Sequence, residues 1–178
     1  MSTTSWTVTA SDGGTLQMRT GVTGRASKMG HRLTLAMTNW TVSVEQSGDV
    51  PASVSMRASV DSLEVTGGEG GVTPMFGPEK LLARSNALGC FDANKYPDIA
   101  YDATDVEKTG GGYRLSGALQ IHGVTRDHVV DVAVSADTAS CHTVVTQTDF
   151  GIKPYSQLLG AMKVVDDVEI CFESPLPR

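Results

Sequence analysis

At 178 residues and 18.7 kDa the chain suits one globular domain, and 40% hydrophobic with 19% charged residues excludes a disordered chain. Fourteen Lys and Arg against twenty Asp and Glu give a net charge of −6 and a pI near 5.1. No block of like charges appears, which argues against nucleic acid or an anionic membrane surface as a partner, because both select basic patches.

No apolar run approaches the ~20 residues of a membrane helix. The start, Met1-Ser2-Thr3-Thr4-Ser5-Trp6, lacks the basic and apolar regions of a secretory signal, so a cytoplasmic location is expected. Cys90, Cys141 and Cys171 are widely spaced and form no CxxC pair, which predicts buried reduced thiols rather than disulfides or a zinc knuckle.

Period-two alternation dominates the chain. A first strand is predicted near Leu16–Thr20. Leu33, Leu35 and Met37 then share one face, and after Asn39 the phase changes and resumes on Trp40, Val42 and Val44, which predicts a bulge or bend. Val54, Met56, Ala58 and Val60 alternate with Ser53, Ser55, Arg57, Ser59 and Asp61. Gly67-Gly68-Glu69-Gly70-Gly71 is too polar and flexible for a strand and is expected as a loop. Gly77–Gly89 carries Pro78 at a first helical position, Glu79 behind it and Gly89 at its end. A short helix is predicted there, with Leu81 and Leu88 on one face. Alternation returns on Ile99, Tyr101 and Ala103, and most cleanly on Tyr113, Leu115, Gly117, Leu119 and Ile121. It continues on Val130, Val132 and Val134, and finally on Val164, Val168, Ile170 and Phe172. Gly110-Gly111-Gly112 and His122–Arg126 are expected hairpin loops.

Hairpin succession with one helix predicts an all-β fold: a single antiparallel β-barrel of about eight strands with one or two short helices. The domain takes in residues 1–178, with its core at about 14–173. An open sandwich fits the same alternation.

Four motifs in order resemble the YceI-like family: Phe91-Asp92-Ala93-Asn94-Lys95-Tyr96-Pro97-Asp98-Ile99-Ala100-Tyr101, the hairpin Tyr113–Arg126, the closing pieces Asp149–Lys153 and Val165–Ile170, and the early strand Gly30-His31-Arg32-Leu33. The likeness runs from Gly24 to Phe172 and is similar to short actinobacterial-type members. It implies a lipocalin-like barrel that binds a polyisoprenoid chain in its interior, with no established catalysis. The chain departs from the family pattern in lacking an export signal. It also departs in the stretch Gly67–Gly71 with Val72-Thr73-Pro74-Met75-Phe76, near the expected mouth.

The resemblance implies an isoprenoid-type lipid or quinone as partner, and an apolar tunnel suits it because affinity then comes from area removed from water, ~25 cal/mol per Å². The candidate wall is Leu33, Leu35, Met37, Met56, Ala58, Val60, Ile99, Tyr101, Leu115, Gly117, Leu119, Ile121, Val130, Val132, Ile170 and Phe172, with Ala58 and Gly117 leaving room in the bore. Seven methionines suit a curved guest. Arg25, Lys28, His31 and Arg32 are the candidate head-group rim, with Lys153 and Tyr155 as weaker additions. The bland reading is that wall residues only pack on each other and rim charges only solvate a loop.

No cofactor, metal site or catalytic residue is expected. His122 and His128 could face each other across a hairpin on the wet face, but zinc takes more ligands than two imidazoles. Cys141-His142 and Asp166-Asp167 are strand neighbours that point to opposite faces. An enzyme working on an apolar substrate would need a buried, shifted polar group, for which Tyr101 and Tyr113 are the only ionisable candidates on dry faces. The remaining readings are a filled barrel acting through its surface, and a homodimer, which the sequence leaves open.

Overall fold

The structure is a computed structural model that describes residues 2–178. Its strands are β1 (Thr3–Thr9), β2 (Thr15–Arg19), β3 (Val22–Thr23), β4 (His31–Met37), β5 (Trp40–Ser47), β6 (Val50–Ser59) and β7 (Leu63–Gly70). After helix α1 (Gly77–Phe91) come β8 (Asp98–Lys108), β9 (Gly112–Ile121), β10 (Val124–Ser135), β11 (Thr138–Thr146), β12 (Ser156–Gln157), β13 (Met162–Val164) and β14 (Asp167–Pro175). Eleven strands form one antiparallel sheet in the order β1-β5-β6-β8-β9-β10-β11-β14-β2-β4-β7. The short β12, β13 and β3 make a second sheet. The fold is the expected antiparallel, lipocalin-like one, with more strands than eight.

Chain continuity explains how so wide a sheet curls. β4 and β5 follow each other yet sit far apart in the sheet order, as do β6 and β7, and β1 and β2. Each pair is one strand bent at a corner, at Ala10–Gly14, Thr38–Asn39 and Val60–Ser62, that passes from one half of the sheet to the other. The bends are stitched together: the Ser59 amide donates to the Asn39 carbonyl at 3.0 Å, and the Thr38 amide to the Ser62 carbonyl at 3.3 Å. Trp40 fills the corner at 2% exposure with its ring edge-on to Phe172, centroids 5.0 Å apart. Its indole Nε1 is buried without a protein partner. The phase change after Asn39 is this bend.

Among the described residues no ladder joins the two edge strands, β1 and β7, so hydrogen bonds do not close the ring. Instead α1 lies along β7. Arg84 Nε donates to the Leu63 carbonyl at 2.7 Å and its Nη2 to the Asp61 carbonyl at 2.6 Å, while Lys80 Nζ reaches the Thr66 carbonyl at 3.5 Å. The helix runs past Gly89 to Phe91 and ends on Asp92, which takes the left-handed conformation (φ 49°) usually left to glycine. Its packed face is Ala83, Ala87, Cys90 and Phe91. Leu88 joins the same face, half-buried like the others, whereas Leu81 is 69% exposed rather than buried.

Gly67–Gly70 is strand, contrary to the loop expected. Gly68 and Gly70 pair with Leu33 and His31 of β4, since the main-chain groups of glycine join a ladder as well as any others. The absent side chains leave room for Met75 over Gly68 and for the His31 ring against Gly71, which has φ 74°.

Gly117 also has a backbone role. A Cβ there would press on the Asp102 carbonyl oxygen and come within 2.9 Å of Ala103, where β8 shifts register against β9. It therefore leaves no room in the bore. Gly117→Ala is expected to destabilise the fold by about 1–3 kcal/mol in chemical denaturation, through strain in the β8–β9 ladder.

Candidate functional site

The inward faces enclose a cavity of about 620 Å³, within the size range of small-molecule pockets. The walls come from every strand of the large sheet except β7, and α1 closes the side next to β7. Every residue of the candidate wall lines this space except Val60 and Gly117. Val60 sits in the corner turn at 1% exposure and packs into the core, and Gly117 has no side chain to present. The cavity also takes in residues that alternation did not single out. Trp6 and Val8 come from β1, too short and threonine-rich to stand out, and Met75, Ala83, Ala87, Cys90 and Phe91 come from the helix region. Cys90, Cys141 and Cys171 are free and half-buried rather than fully buried.

The polar groups Tyr101, His128 and Thr143 on the deep wall are paired with one another or with the backbone. Tyr101 Oη donates to the His128 carbonyl at 2.9 Å and lies 3.4 Å from the Leu115 carbonyl. His128 Nε2 is 2.8 Å from Thr143 Oγ1, and the Tyr101 and His128 rings meet edge to face at 6.5 Å. Burial raises Tyr101 to about 12, helped by the neighbouring Cys141, and raises the Cys141 thiol to about 11. Burial lowers His128 from its ordinary value. All three are therefore neutral near pH 7, and the deep wall offers a ligand neither a charge nor a thiolate nucleophile.

His128 was expected opposite His122 on the wet face. Instead it shares the inward parity of Val130 and Val132, which was readable from β10 itself. His122 lies elsewhere, stacked on Tyr96 at 4.7 Å with Nδ1 3.2 Å from the Phe150 carbonyl. Cys141 and His142 do point to opposite faces, His142 lying 3.9 Å from Glu169. Asp166 and Asp167 accept from different hydroxyls, Thr148 and Thr146, both at 2.6 Å. Among the described residues no cluster of three or more His, Cys, Asp or Glu is placed to hold a metal.

Of the four main rim candidates, Arg25, Lys28, His31 and Arg32, only His31 lines the cavity. Its Nε2 is 2.8 Å from the Thr73 carbonyl, which ties β4 to the segment before α1. Arg25 and Lys28 are exposed in the turn just before it, and Arg32 turns outward to Glu69 at 3.8 Å. Tyr155 and Lys163 border the cavity and Lys153 does not. Met29 and Leu82 line it while 52% and 60% exposed, which places an opening between the 24–31 turn, the start of α1 and the segment at 152–164.

An antiparallel sheet curled around a largely apolar chamber, with the charged lining residues Glu79 and Lys163 in the segments at its mouth, defines a barrel of the ligand-holding kind. The YceI-like domain matches residues 3–175, and the chain belongs to that family. Among solved structures it is similar to Burkholderia cenocepacia BcnA, with 18% identity, TM-score 0.63 and coverage of 92% of this chain and 96% of that one. It also resembles the Campylobacter jejuni YCEI protein, with 15% identity, TM-score 0.60 and coverage of 81% and 85%. A mutant of the latter, with a monobromobimane guest, gives 16% identity at the same TM-score, 0.60, and the same coverage, 81% and 85%. At these identities the likeness concerns the fold. No curated protein sequence matches the chain.

His128 makes stability depend on pH. Its folded-state pKa lies below the ordinary 6.5, so the unfolded chain takes up the proton first, and the stability it contributes is lost as pH falls from 6.5 through the folded value. Melting temperature should therefore fall as pH drops below 6.5, before the range where Asp102, Asp131 and Asp166 protonate, and fall less in His128→Gln.

Proposed function

We propose that the protein binds or carries an isoprenoid-type lipid, a polyprenyl alcohol, phosphate or quinone, in the apolar chamber, without transforming it. The observation that carries this reading is the mostly apolar 620 Å³ chamber, whose deep polar groups Tyr101, His128 and Thr143 are already bonded to one another or to the backbone. A ligand with many hydrogen-bonding groups would have to break those pairs, whereas a hydrocarbon tail gains area burial at no such cost. A barrel filled by its own side chains would have no such space. Membership of the YceI-like family supports the same ligand class. The side chain of Leu33 is half-buried on the wall, two residues along β4 from His31 near the mouth.

Extraction of the purified protein with organic solvent followed by mass spectrometry is expected to release an isoprenoid lipid at near-equal stoichiometry. Stripped protein should take it back. Leu33→Trp should weaken rebinding at least about tenfold with little change in melting temperature, because the larger side chain grows into empty space. Absence of any lipid, together with no rebinding of added polyprenols or quinones, would remove the proposal.

A further inference from the structure

We infer that the mouth of the chamber docks on an anionic phospholipid bilayer. The inference adds a place of loading to the lipid-carrier reading without depending on it. Eleven large hydrophobic side chains are exposed among the described residues, and seven of them lie on the three segments that frame the mouth: Met29 and Leu82, which line the chamber, and Val72, Phe76, Leu81, Leu158 and Leu159, which do not. They come from three separate segments brought together there. A Cβ on Gly30 would meet the Met162 side chain, the Ala26 amide donates to the Ala161 carbonyl at 2.8 Å, and His31 holds Thr73. Soluble proteins seldom leave such an apolar rim uncovered without a partner.

The tip that follows β12 is built to project. Leu158 and Leu159 both adopt the left-handed conformation, with φ of 54° and 55°, and Leu159 is fully exposed. For two consecutive leucines this is strained backbone, and strain of this kind collects at functional loops. It holds an aliphatic side chain out in water, where an acyl layer would bury it.

Charge identifies the surface that fits. Residues 25–32, 69–82 and 153–164 hold six of the fourteen basic residues, Arg25, Lys28, Arg32, Lys80, Lys153 and Lys163, but only Glu69 and Glu79 of the twenty acidic ones. The rim thus carries +4 and the rest of the chain −10, so the net −6 conceals a strong asymmetry. Asp166 and Asp167, next along the chain, accept from Thr148 and Thr146, and Asp166 is near enough to Lys163 to offset part of that excess. A cationic ring around projecting aliphatic groups matches phosphate head groups above an acyl layer, while the acidic body is repelled and orients the mouth downward.

Co-sedimentation of the full chain with vesicles tests this, using phosphatidylcholine alone and with about a third of phosphatidylglycerol. Binding is expected to the anionic vesicles and should fall steeply with added salt. Leu159→Asp should lower it at least about tenfold, and Lys28→Glu with Lys153→Glu by a similar factor, with unchanged circular dichroism and melting temperature. Equal binding to both vesicles, binding to neither, or wild-type binding by both variants would overturn the inference. So would rim-dependent self-association in light scattering that vesicles do not compete away, which would make a second copy the occupant. Isoprenoid rebinding is measured separately, so a wild-type protein that ignores both kinds of vesicle while its chamber still fills sinks this inference alone.

Discussion

The chamber exists because three strands bend instead of ending. At Ala10–Gly14, Thr38–Asn39 and Val60–Ser62 the chain turns a corner with its alternation re-phased, so the apolar face remains inward on both sides of the bend. A flat sheet of eleven strands would need a second layer to cover that face. Curling lets the sheet cover itself, but the side chains that reach the axis do not fill it. Trp40, buried between the corner and Phe172, is the packing that holds the bend.

A hollow interior imposes a condition on every polar atom facing it. Tyr101, His128 and Thr143 meet that condition by bonding among themselves and to the His128 carbonyl. Burial then keeps all the titratable members of the group neutral. The same arrangement that makes the chamber suitable for hydrocarbon makes it a poor place for acid–base work, which needs a group poised near neutral pH and aimed at a substrate.

Alternation was legible in the long strands whose inward side chains are large and apolar, which is why the walls from β4, β6, β8, β9 and β10 could be read from residues such as Leu35, Met56 and Leu119, while β11, which turns Ala139, Cys141, Thr143 and Val145 inward, went unread. It was blind to β1, where threonines dilute the pattern, and to β3, β12 and β13, whose two or three residues cannot show a period. Composition misled at Gly67–Gly70, because a glycine run looks like a loop until another element lies against it. It misled again at Gly117, where the missing side chain serves a close approach of two backbones rather than the bore. His128 was misplaced for a different reason: its chemistry drew attention to His122, while its parity with Val130 already fixed the side it faces. Net charge hid a cationic rim for the same reason any average does, since the three segments that build it are far apart in sequence.

The pairing of β2 with β14, with Leu16 beside Phe172, has a consequence for how the molecule comes into being. β2 waits for a partner that follows every other strand of the sheet in the chain, and β11 needs the same strand on its other flank. The hairpins from β8 to β10 can form early, because their contacts are local, but the oily interior stays unsealed until β14 docks. Folding is therefore governed by a long-range closure, and a chain in which β14 fails to dock would present its greasy lining to whatever chaperone or neighbour it met first.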